Sequence, residues 1–235
     1  VEEKMPRQHV NTHIAMIASV CLCLLAYLSW SGQPQEADSD AAAVTAGTDF
    51  DSPDSISVVI NKDRPLASDY APQDLMDAGG VMMRAEAGEA FLKMRADSAA
   101  AGVAISAVSG FRPASQQADL HSSYTDRYGG AAAESLSARP GYSEHQTGLA
   151  VDIANPDGAC SLQACFEETP AGSWAAANAH LYGFVIRYPA GAEAVTGYSY
   201  EPWHLRYVGV DSAHRIVDAG ITLEEFADLP AAPGY

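Results

Sequence analysis

The stretch SEHQTGLAVDIA, residues 143–154, constrains this chain more than any other. Residues 149–153 read as a short buried strand, and Gly148 just before them lets the backbone bend or approach a neighbour closely. Side chains alternate along a strand, so Ala150 and Asp152 share one face. A carboxylate on the inner face of a buried strand needs a partner, because a lone buried charge is very costly. His145, just ahead of the strand, can share a metal ion with Asp152. The competing reading is a loop histidine and an aspartate that makes a turn hydrogen bond.

Two further stretches carry chemistry-bearing side chains. EPWHLRYV, residues 201–208, places Glu201 and His204 three apart with Trp203 between them. His204 offers another imidazole nitrogen, and Glu201 can act as a base on water. Hydrolytic zinc sites keep three protein ligands and one open position, a set that His145, Asp152 and His204 would fill. Alone, Glu-x-x-His is common on ordinary surfaces. SGFRPASQQ, residues 109–117, puts Arg112 between a strand–turn and a helix start, where a guanidinium can grip a carboxylate or face a developing oxyanion. Gln117 follows one helical turn later. Judged in isolation, Arg112 reads first as a surface arginine in a helix-entry loop. The chain contains no His-Glu-x-x-His, which excludes the familiar helical zinc-protease site.

Around these stretches the pattern is mixed. Residues 56–66 suggest an opening strand and a turn at Asp63–Pro65. Residues 85–101 predict a helix with Ala87, Ala90, Phe91 and Met94 on one face. VAISAVSG predicts a strand, and residues 114–128 a helix stopped by Gly129. SWAAANAHLYG predicts a helix ending at Gly183; FVIRYP and YSYEPWHLRYV predict strands. Asp211 is expected to cap a helix running to Ala219, and TLEE has capping-box spacing. Without a regular βαβ rhythm, the expected class is α+β, a small mainly antiparallel sheet with helices packed on it.

The first residues read separately. Lys4 and Arg7 precede residues 14–30, which carry no charge. That run is at the short limit for a membrane span and fits a signal peptide or a transmembrane anchor behind a cytoplasmic segment, residues 1–13. No clean small-residue cleavage site follows, which favours the anchor. Residues 31–55, acidic and without Lys or Arg, suggest a flexible linker leading to a catalytic domain over residues 56–235. The expected location is extracytoplasmic, membrane-anchored, or secreted if the segment is cleaved. Export favours a disulfide between Cys160 and Cys165 over a zinc site. The net charge of −17 argues against nucleic acid as a partner.

Taken together, the stretches resemble the LAS-type zinc D-alanyl-D-alanine carboxypeptidases, in the VanY-like subgroup, peptidase family M15B. The shared pattern is Ser143, His145, Gly148, Ala150 and Asp152, followed by Glu201, Trp203 and His204, with Arg112 and Gln117 upstream. The resemblance spans about residues 57–220 and implies a hedgehog/DD-peptidase-like fold. It implies Zn2+ held by His145, Asp152 and His204, and Glu201 as general base and acid. Arg112 is implied as the partner of the substrate carbonyl or oxyanion, with Gln117, Ser143 and Trp203 lining the substrate site. The implied substrate is a peptidoglycan stem peptide that loses its terminal D-alanine, acted on by a monomer. The alternatives are an L,D-carboxypeptidase acting on tetrapeptide stems and a non-catalytic wall-binding module on the same fold. Should Glu201 not be the base, Glu144 is the next acidic residue beside a ligand.

Overall fold

The computed structural model describes residues 48–235, which form one compact unit. The expected cytoplasmic segment, the apolar run and the linker up to residue 47 lie outside the described residues. Residues 48–55, read from sequence as linker, are part of the unit: Phe50 packs edge-on against Phe226, and Asp51 pairs with Arg64. Among the described residues, no helix is long and apolar enough to cross a membrane.

A two-stranded hairpin, β1 (Leu75–Asp77) and β2 (Met82–Arg84), leads directly into helix α1 (Ala85–Ala100). The predicted face of α1 is the buried one, with Ala87, Phe91 and Met94 in the core. Strand β3 (Ser106–Ser109) runs to Gly110, and α2 (Ala114–Tyr128) and α3 (Gly130–Leu136) follow. Gly129 ends α2 as predicted, but a second helix starts at once, in a stretch where none was expected.

A 3₁₀ turn, Glu144–Thr147, precedes β4 (Ala150–Ala154). Helix α4 (Pro170–Asn178) begins on the Thr169 side chain and tightens into a 3₁₀ turn, Ala179–Tyr182, before Gly183. Next come β5 (Phe184–Tyr188), the short α5 (Glu193–Thr196) and β6 (Glu201–Tyr207). Helix α6 (Val210–Ala219) and α7 (Leu223–Phe226) close the chain. Gly209, not Asp211, precedes α6; Asp211 sits in its first turn. The capping box of Thr222 and Glu225 forms as its spacing predicts.

The main sheet has the order β3-β4-β6-β5 and every pairing is antiparallel. The fold is α+β, as the sequence suggests. One sheet face is apolar: Val151, Ile153, Phe184 and Leu205 join Phe91, Met94 and Phe166 in the larger core cluster. The opposite face carries Asp152, Arg187, His204 and Arg206. A one-residue slip of register would exchange the two faces, so burial of the aliphatic set fixes where the polar set stands.

The expected opening strand is absent. Residues 57–60 are buried and Ile56 half-buried, but they belong to no strand; an isolated bridge between Asn61 and Arg64 follows them. The carbonyls of Ile56 and Val58 accept hydrogen bonds from the Arg206 guanidinium instead. A charged side chain therefore does the work of a neighbouring strand.

Candidate metal centre

Asp152 and His204 are direct cross-strand partners of β4 and β6. That register places their side chains on one face at adjacent strands. His145 arrives from the 3₁₀ turn ahead of β4, through Gly148 in the left-handed region at φ +69°. A side chain at Gly148 would meet Arg84 and Leu75 at 3.1 Å, so glycine serves both the turn and the close approach.

The three side chains converge. Their ligand atoms lie within 4.8 Å of one another. His145 Nε2 is 3.2 Å from Asp152 Oδ2, and His204 Nδ1 is 3.2 Å from Asp152 Oδ1. His145 Nδ1 faces the Gly110 carbonyl at 2.7 Å. It therefore donates there and leaves the Nε2 lone pair toward Asp152.

The set fits a divalent metal ion. All three residues are buried, yet Asp152 Oδ1 has no aligned hydrogen-bond donor. A buried carboxylate oxygen without a donor is costly unless a cation meets it. Two imidazoles and a carboxylate are also a usual three-ligand donor set for hydrolytic zinc.

The electrostatics agree. Burial opposes the Asp152 charge, but His145 and His204 outweigh it and hold the carboxyl well below its usual range. For His145, burial dominates and lowers the pKa. Burial works to lower His204 too, but Asp152 and Glu144 outweigh it and raise its pKa to about 9. The carboxylates that would hold a proton there would also hold a metal cation.

Glu201 stands at the start of β6 with its Oε2 3.6 Å from His204 Nδ1. Burial pushes its carboxyl up to about 7; His204 and Arg112 pull against that shift and Asp152 adds to it. Arg112 is held by two hydrogen bonds, from Nη1 to Gln117 Oε1 at 2.8 Å and from Nη2 to Ser109 Oγ at 2.7 Å. Gln117 is fixed in turn by donating to the Ala138 carbonyl at 2.7 Å. These groups, with Ser143 and Trp203, line one cavity of about 500 Å³. Every residue singled out from sequence for metal or substrate therefore faces the same space. Cys160 and Cys165 are joined to each other in a disulfide, and the loop it closes adds Leu162, Gln163 and Ala164 to the cavity lining.

A family model described as VanY, D-alanyl-D-alanine carboxypeptidase, matches residues 80–210, more than half of the chain. The chain belongs to the VanY family. Among its relatives, the protein YodJ of Bacillus subtilis (strain 168) is 38% identical over 184 residues, covering 74% of this chain and 67% of YodJ. Among solved structures, the LdcB LD-carboxypeptidase matches with TM-score 0.70 at 38% identity, over 75% of this chain and 87% of that one. A mutant of the vancomycin resistance D,D-pentapeptidase VanY, in complex with Zn(II), matches with TM-score 0.65 at 30% identity. That match covers 72% of this chain and 97% of the other.

The VanY-family site contains more than its sequence motifs revealed. Tyr188 and Tyr198 line the cavity, and the Tyr188 ring lies 5.0 Å from that of His204. Both sit in stretches that read simply as strands from the sequence. Glu144 was the sequence's reserve candidate for the base. It is instead fully buried, and its Oε1 accepts from Arg187 Nε at 2.8 Å and Arg206 Nη1 at 2.7 Å. Burial opposes its charge, but the two arginines hold its carboxyl well below the usual range. A carboxylate so held cannot take up a proton near neutral pH, so Glu144 is unsuited to act as a base.

Proposed function

We propose that this chain is a zinc-dependent D-alanyl-D-alanine carboxypeptidase that removes the terminal D-alanine from peptidoglycan stem peptides. The observation that carries the reading is the convergence of His145, Asp152 and His204, with the Glu201 carboxyl beside them in the same cavity. Zinc held by those three side chains would acidify a water molecule and polarise the scissile carbonyl.

The remaining steps belong to the protein. Glu201, beside His204 and facing the same cavity, takes a proton from the attacking water as general base. It then returns that proton to the departing D-alanine amine. Arg112, braced by Ser109 and Gln117, faces negative charge as it develops on the carbonyl oxygen and stabilises it. Gln117 and Ser143 fix the substrate's end, and Trp203 walls the cavity. The buried ligand set would leave an ion accessible only from the cavity side. The Cys160–Cys165 disulfide supports work outside the cytoplasm, where residues 14–30 would tether the domain.

A second reading has its own support. The LdcB LD-carboxypeptidase structure is the more similar to this chain of the two compared above, which favours action on tetrapeptide stems. One digest separates the two. Pentapeptide and tetrapeptide stems are incubated separately, with and without chelator, and the products weighed. Chelator-sensitive loss of one alanine from the pentapeptide supports the first reading. Loss from the tetrapeptide alone establishes the second. Release that survives complete metal removal contradicts both.

A further inference from the structure

We propose that Glu144 is a positioning residue: its Oε2 accepts a hydrogen bond from His204 Nε2–H and thereby presents the His204 Nδ1 lone pair to the metal. This rests on the reading of His145, Asp152 and His204 as a metal centre. An imidazole that gives one nitrogen to a metal carries its proton on the other, and the acceptor of that proton sets tautomer and ring orientation. His145 has such an acceptor in the Gly110 carbonyl. His204 points Nδ1 at Asp152 and Nε2 at Glu144 Oε2, 3.7 Å away. Both of those facing atoms are buried, and neither has another hydrogen-bond partner. A closure of a few tenths of an ångström makes the bond.

The rest of the arrangement leaves Glu144 no other role for that oxygen. Its Oε1 is taken by Arg187 and Arg206. Arg187 is anchored by a two-point pairing with Glu224, at 2.8 and 2.6 Å. Arg206 is anchored by the carbonyls of Tyr207, Ile56 and Val58. The carboxylate therefore cannot swing away, and an ionised carboxylate can only accept. Position 144 next to a ligand thus joins the metal centre to the buried ionic network behind it.

Glu144→Gln tests this. The amide's oxygen would stay with the two guanidinium groups, turning its N–H toward the N–H of His204, donor against donor. The expected result is a zinc affinity weakened about 10–100-fold in competition with a colorimetric chelator. The His204 imidazole nitrogen signals of the zinc-loaded protein should also change. Glu224→Gln is the control: it weakens the same network away from His204 and should lower thermal stability while leaving zinc affinity at the wild-type value. Equal loss of affinity in both variants would assign the effect to general rigidity and overturn the proposal. So would unchanged affinity and unchanged His204 signals in Glu144→Gln. If that variant does not fold, nitrogen NMR of the zinc-loaded wild type decides. Metal on Nδ1 with a protonated Nε2 supports the proposal, and metal on Nε2 overturns it. If the wild type binds no zinc at all, the metal-centre reading fails and this proposal falls with it.

Discussion

The polar face of the β4–β6 pair has two ends, and they are built to opposite rules. At one end Asp152 faces His204; one turn of the pleat away Ala150 faces Arg206. Around Arg206 the buried charges are paired: Glu144 Oε1, Arg187 and Glu224 are tied at 2.6–2.8 Å, and backbone carbonyls accept further hydrogen bonds from Arg206. Around Asp152 they are not matched, and buried polar atoms lack partners. The same sheet, strands and depth therefore yield a saturated network and an unsaturated one. Saturated buried charge specifies structure. Unsaturated buried charge, opening on a cavity, marks where a ligand completes the set.

The comparison is broken most severely at the unsaturated end. His204→Ala leaves two protein anchors for the metal. It should fold, lose zinc by atomic emission, and show no detectable D-alanine release. A variant that retains zinc and activity would show that His204 is not a ligand.

At the saturated end the effect falls on stability instead. Arg206→Met strips Glu144 of one guanidinium and Ile56 and Val58 of a donor. Removing one partner of a buried ionic set costs about 3–5 kcal/mol, read as a lowered denaturant midpoint. A loss no larger than that of an exposed surface pair would show that the network is not structural.

The site was more legible in the sequence than the network, for a physical reason. Metal ligands and general bases come from few residue types, and a strand's alternation fixes which of them share a face. His145, Asp152 and His204 stood out as candidate ligands on that ground, and the resemblance to the VanY-like carboxypeptidases joined them into one set. Helix α2 was equally plain, bounded by the turn ahead of Ala114 and by Gly129. Arg187 and Arg206 looked like ordinary strand residues, since nothing local tells a buried arginine from an exposed one. Their partners Glu144 and Glu224 lie far off in sequence. Residues 56–60 misled for the same cause: their β-forming composition was real, but Arg206 takes the backbone bonds that a strand partner would have made. The hairpin of β1 and β2 has strands of three residues each, too short for an alternation signal.

A smaller effect sharpens the contrast through pH. Burial opposes the Glu224 charge, but Arg187 and Asn61 outweigh it and lower its pKa in the folded protein. Its contribution to stability is therefore complete above the ordinary value near 4.5 and is lost as pH falls toward the depressed one. Acid unfolding should begin below pH 4.5, and Glu224→Gln should flatten that limb of the stability curve. An unchanged acid limb would mean that Glu224 gains nothing from the network.

Glu201→Ala, assayed for both zinc content and D-alanine release, tests the central claim most directly. Glu201 lies beside His204 but outside the set of three ligands. Zinc should stay near one per chain, measured by atomic emission. Release of D-alanine from a stem peptide should fall by about 10²–10⁴, the usual cost of removing a general base. Near wild-type turnover with zinc retained would contradict the account, because the protonation chemistry would then reside elsewhere.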